Sequence, residues 1–147
     1  MRLVDKAIKV VKKEIDSYNL AWFRFPSIVI DSEVSLQYGA CYSQRLNIIY
    51  VDSAICTHKD SLDQVELYPF CITSPLMLHI AFILHELGHA VQKQLGLFNL
   101  EDRYDYNSVT QFNFKDQIRL YRNIPSEHHA DIFAKEILER LQTKGLL

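Results

Sequence analysis

The stretch SPLMLHIAFILHELGHAVQKQLG, residues 74–96, decides how the rest of the chain is read. Ser74 can cap a helix with its hydroxyl, and Pro75 suits the first helical position, where its missing N–H would have no intrahelical partner. Gly96 is a stop signal, because glycine readily takes the left-handed conformation that ends a helix. Between these ends Leu76, Met77, Leu78, Ile80, Ala81, Phe82, Ile83, Leu84 and Leu87 leave no polar stripe before Gln92. A helix that is apolar nearly all round is covered on most sides, so a central helix running to Leu95 is predicted. Inside it, His85, Glu86 and His89 form an HExxH motif. Residues four apart share a helical face, so both imidazoles can reach one metal ion while Glu86 stands beside them to handle a water on that metal. Polar side chains in an apolar core need partners, since each unpaired one costs about 1–3 kcal/mol. A metal ion would satisfy all three.

A zinc site used in catalysis takes three protein ligands and keeps a fourth position for water, so a third ligand is required. The metzincin continuation would need Gly and His where this chain has Gln92 and Leu95. The better candidate is Glu127, at the start of a last helix opened by Pro125-Ser126 and ending before Gly145. Glu127 shares a face with Ala130, Ala134 and Leu138, and so points where that helix meets the core. Asp131 follows one turn later and is assigned to the distal N–H of His85, fixing the tautomer of that ligand. His128 and His129 are rivals for the third position, but lie about 100° and 200° round the helix from Glu127. His79, six residues before His85, falls on another face and reads as a core histidine.

Outward from these two helices, Val4, Ala7, Ile8, Val11, Ile15 and Tyr18 recur at three- and four-residue steps, with Lys6, Lys9, Lys12, Lys13 and Glu14 on the opposite arc. That pattern is an amphipathic N-terminal helix with a solvated face. Ser27 to Ile30 has strand composition. Gln37 to Tyr42 and Leu46 to Val51, joined by Ser43-Gln-Arg45, read as a hairpin rich in Tyr, Ile and Val, giving a small antiparallel-type sheet. Residues 53–72 carry no period, and within the aromatic, polar connection 99–123 a short helix is expected over Phe112 to Tyr121. Strands come early and helices late, which predicts an α+β fold, and no repeat or linker divides residues 1–147 into more than one domain.

HELGH at 85–89, followed by EHHADIFA at 127–134, resembles the gluzincin metallopeptidases, and among them the ImmA/IrrE family, where E-x-x-A-[ND]-x-F-A follows the HExxH helix. The hairpin YGACYSQRLNIIYVD, residues 38–52, resembles the strands that precede that helix in the family. The likeness spans roughly residues 28–141, and only the two helical motifs are specific. This chain departs from the pattern in a longer connection between His89 and Glu127, and in Asp131 where Asn is common. The resemblance implies a small zincin-like domain holding one Zn2+ ion, and an endopeptidase that cleaves a helix-turn-helix repressor of a phage or mobile element. In that reading His85, His89 and Glu127 bind the metal, and Glu86 takes a proton from water and passes it to the leaving amine. An extended substrate is expected to add a strand to the sheet edge, for which Leu46 to Val51 is the expected strand. Tyr104, Tyr106, Tyr121 and His128 are all open candidates for stabilising the oxyanion.

Composition narrows the alternatives. The chain has 147 residues, 48% of them apolar, and a net charge of −2, enough apolar content for a core and no positive field for direct nucleic-acid binding. The run Leu76 to Leu84 is well short of the roughly 18–20 residues that span a bilayer, and lysines interrupt the N-terminal segment, so neither membrane insertion nor a secretory signal is expected. Cys41, Cys56 and Cys71 form no CxxC pair and read as buried free thiols, consistent with a reducing, cytoplasmic setting. A competing reading keeps the zinc but not the chemistry: a metal-bearing interaction or sensing module that acts on a regulatory protein by binding it. The intact Glu86 favours the enzyme, because a purely structural site has no use for a water-activating carboxylate.

Overall fold

The computed structural model describes residues 1–34, 39–54, 71–97 and 122–147. Among these the chain is a small α+β protein in the order α1 (Leu3–Asp16), β1 (Ser27–Ile30), β2 (Ala40–Ser43), β3 (Ile48–Val51), α2 (Pro75–Gln94) and α3 (Pro125–Thr143). The short helix expected over 112–121, the start of the expected hairpin at Gln37 and Tyr38, and Cys56 lie outside the described residues.

The ends of α2 follow from its capping residues. The Ser74 hydroxyl accepts from the Met77 N–H at 3.1 Å, and Pro75 takes the first turn. Gly96, at φ +71°, lets the Leu97 N–H turn back onto the Gln92 carbonyl at 2.8 Å. The helix packs against both α1 and α3, which is why its apolar residues run round the whole circumference. Val4, Ala7, Val11 and Ile15 of α1 are buried against this core, while Lys6, Lys9, Lys12 and Lys13 are exposed as expected. Glu14 is a correction, being buried rather than on the solvated arc. Its carboxylate accepts from the Lys144 ammonium at 2.7 and 2.8 Å and from the Tyr18 hydroxyl at 2.9 Å, tying α1 to the C-terminal end of α3.

The sheet differs from the expectation in two ways. Its order is β1-β3-β2, with β1 parallel to β3 in the register Ser27↔Ile48 and β2 antiparallel to β3 in the register Ala40↔Val51. It is therefore mixed rather than antiparallel, because the chain leaves β1 for the far side, lays down β2 and returns through the hairpin between the two. Residues 46–51 consequently form no edge. Both flanks of β3 are paired, and among the described residues the edges are β1 and β2. The hairpin turn also falls later than expected, at 44–47, where Asn47 takes a left-handed φ of 51° and its side-chain oxygen accepts from the Tyr42 hydroxyl at 2.8 Å. Asparagine tolerates that conformation better than the residues of the predicted joint.

α2 and α3 approach closely at Gly88. A Cβ placed on Gly88 would lie 2.8 Å from the Ala130 Cα, so only glycine lets the helices come this near. That contact sits within the HExxH turn.

A candidate metal centre between two helices

Glu127 and His85, 42 residues apart in sequence, meet where Gly88 lets α3 close on α2. Glu127 is 1% exposed, and it presents one oxygen to each histidine: Oε2 lies 2.8 Å from His85 Nε2, and Oε1 lies 3.1 Å from His89 Nε2. The two imidazoles are nearly perpendicular, with ring centroids 4.9 Å apart. One ligand atom from each of His85, His89 and Glu127 lies within 4.8 Å of the others, and this is the one group among the described residues that could hold a metal ion. The rivals His128 and His129 are exposed on α3 and do not belong to it. His79 is fully buried, as expected of a core histidine, and burial keeps its imidazole below its ordinary pKa.

The outer nitrogens of both histidines are also committed. His85 Nδ1–H donates to Asp131 Oδ1 at 2.8 Å, which is the partner expected from the one-turn spacing of Glu127 and Asp131. His89 Nδ1–H donates to the Gln92 side-chain oxygen at 3.0 Å, and the Gln92 amide nitrogen in turn donates to the Ser126 carbonyl at 2.7 Å. The second bond orients the amide so that its oxygen faces His89. Both imidazoles are thus held with Nε2 inward. Gln92 was legible only as the point where the apolar residues of the helix give way to polar ones. Its position three residues after His89, on the same face, was the signal that could have identified it. Arg122, whose Nη1 contacts both Asp131 oxygens at 2.8 and 2.9 Å, carried no signal at all.

Charges in this cluster are strongly coupled. Burial disfavours a charged His85, but Asp131 and Glu127 outweigh it and raise the imidazole to about 10. His89 is raised for the same reason by Glu127, against the same burial. Burial works to raise Glu127, yet the two histidines hold its carboxyl far below the usual carboxylate range. The contacts of His85 and His89 Nε2 with Glu127 thus favour protons between these groups, in positions that a metal cation could take.

Glu86 points to the side of this cluster that faces β2. Burial raises its carboxyl above the ordinary value, while the neighbouring histidines and the backbone N–H of Tyr42 draw it back. The Gly39 carbonyl accepts from the Asp52 N–H, so strand alternation turns the backbone groups of Ala40 and Tyr42 away from β3. The outer edge of β2 therefore runs beside Glu86. Cys41 on that strand is half-buried, and burial, with Glu86 nearby, pushes its thiol to about 11. Cys71 is exposed, not buried as expected, because it lies ahead of the Ser74 cap and outside the helix packing.

Among the described residues no helix is long and apolar enough to cross a membrane. No protein-family model, curated protein or solved structure matches this chain, and the chemistry of the site rests on its own geometry.

Proposed function

We propose that this chain is a zinc-dependent endopeptidase of the gluzincin type, similar to the ImmA/IrrE family and built on a small zincin-like fold. The observation that carries the reading is Glu127 bridging the inward Nε2 atoms of His85 and His89, with Glu86 beside them against the Tyr42 backbone of β2. The donor set fits zinc. Two imidazole nitrogens and a carboxylate are the His2Glu ligands of such sites, and bonds of about 2.1 Å put tetrahedral ligands about 3.4 Å apart. The present separations of 2.8 and 3.1 Å, each to a different Glu127 oxygen, would open by about 0.6 and 0.3 Å to reach that spacing.

One zinc ion held there would supply Lewis acidity toward a water molecule and toward a scissile carbonyl. Glu86 is the general base in this reading. Burial makes it more basic than a free carboxyl, so it accepts a proton from the attacking water and delivers it to the leaving amine. Asp131 and Gln92 keep the imidazoles neutral at Nε2 and correctly aimed once metal is bound. The flank of β2 that no described strand pairs replaces β3 as the place where an extended peptide would lie, since main-chain hydrogen bonds hold a peptide without regard to its side chains. The substrate is a protein, with a helix-turn-helix repressor as the first to try, and the setting is the cytoplasm.

Glu86→Gln decides between enzyme and binding module. Zinc-loaded wild type and variant are incubated with a proteome-derived peptide library, and new termini are identified by mass spectrometry. Both proteins should retain one zinc per chain, and only the wild type should generate cleavages. Equal cleavage by the variant, or none by either, sinks the peptidase reading, and zinc retained without cleavage leaves the interaction module in its place.

A further inference from the structure

We infer that Arg122 is a positioning residue of the metal centre, acting through Asp131 on His85; the inference rests on the zinc reading above. Arg122 lies just ahead of α3, nine residues before Asp131. Its Nη1 donates to Asp131 Oδ1 at 2.8 Å and to Oδ2 at 2.9 Å. Oδ1 is the same oxygen that accepts from His85 Nδ1–H at 2.8 Å, and the opposite face of that imidazole, Nε2, is aimed at Glu127 Oε2 at 2.8 Å. The guanidinium, the carboxylate, the imidazole and the ligand carboxylate form one chain whose side chains are 11%, 3%, 12% and 2% exposed.

The shared oxygen is what makes this more than an ion pair. A carboxylate buried to this degree with only a neutral imidazole N–H for company carries unbalanced charge. It can relieve that charge by rotating toward water or by drawing the imidazole proton toward itself. Either response changes the direction or the donor strength of Nε2. Arg122 removes both incentives by supplying the countercharge, and it holds both carboxylate oxygens so that Oδ1 stays on the His85 axis. Because both bonds leave a single nitrogen, an ammonium at the same point could do the same work. The effect should therefore follow charge and not the shape of the guanidinium.

The test uses the full chain loaded with zinc, and separately with cobalt(II) as a visible probe of ligand geometry. Removing an outer partner of a metal ligand costs 10–100-fold in affinity, so Arg122→Gln should weaken zinc binding by about tenfold in chelator competition and shift the cobalt d–d bands. Arg122→Lys should recover affinity to within about threefold and restore the bands. In an Asp131→Asn background the Arg122→Gln change should cost less than about twofold, since the group it acts through has lost its charge. If Arg122→Gln does not fold, Arg122→Met, which keeps an unbranched apolar stem and removes the charge, takes its place with the same readouts. Wild-type affinity and an unchanged cobalt spectrum in the neutral variant, or an undiminished cost in the Asp131→Asn background, overturn the inference alone. Failure of the wild type to bind either metal overturns the zinc reading and this inference with it.

Discussion

At the scale of single residues, the HExxH spacing identified His85, Glu86 and His89 because a helix puts i and i+4 on one face whatever surrounds it. Gln92 shows where such local reasoning stops. Its position is on that face, but its role depends on the Ser126 carbonyl, which fixes the amide orientation from another helix. Replacing Gln92 with Met would leave the buried His89 Nδ1–H and the Ser126 carbonyl without their partner at similar side-chain volume. The expected loss is about 1–3 kcal/mol of stability in denaturant titration, with about tenfold weaker zinc binding by chelator competition. Unchanged zinc affinity would mean that Gln92 does not orient His89.

At the scale of elements, helix ends were readable and strand order was not. Ser74, Pro75 and Gly96 bound α2 by local chemistry, and Gly145 likewise stands just beyond α3. The pairing of β1 with β3 depends instead on which strand β3 meets on its second flank, something no run of Ile and Val encodes. Helix packing rests on one glycine. A methyl at Gly88 would press on the Ala130 backbone at 2.8 Å, forcing α2 and α3 apart at the point where Glu127 meets the histidines. Gly88→Ala should therefore cost about 1–3 kcal/mol and weaken metal binding as well. Gly96→Ala is the control, since its added Cβ meets open space and strains only a φ of +71°. It should cost about 1–2 kcal/mol and leave zinc affinity unchanged. Equal zinc affinity in both variants would show that the Gly88 contact does not set the site.

At the scale of the whole molecule, the metal centre joins α2 to α3, so its occupancy and its protonation should both appear in global stability. Zinc at a hundred times its dissociation constant adds about 2.7 kcal/mol, which for a chain of this size corresponds to a melting temperature higher by about 5–10 °C. In the metal-free protein His85 has its pKa raised above 6.5 to about 10, so its contribution is complete below pH 6.5 and is lost as pH rises through about 10. Zinc needs both imidazoles deprotonated at Nε2, so its binding expels those protons and strengthens with pH. Thermal melts from pH 6 to 10 should show metal-free stability declining while the increment from zinc grows, and Glu127→Ala should abolish the increment. A zinc increment independent of pH would contradict the protonated cluster. What the sequence by itself determined is the part that nearest neighbours decide: the three helices among the described residues, the caps of α2, the apolar faces, the HExxH triplet and the one-turn spacing of Glu127 and Asp131. Only the tertiary structure decided that β3 is central, that the β2 edge borders Glu86, that Glu14 is buried, and that Gln92 and Arg122 serve the histidines. Each of these depends on groups far apart in the chain, brought together by packing that leaves no periodic trace in the order of residues.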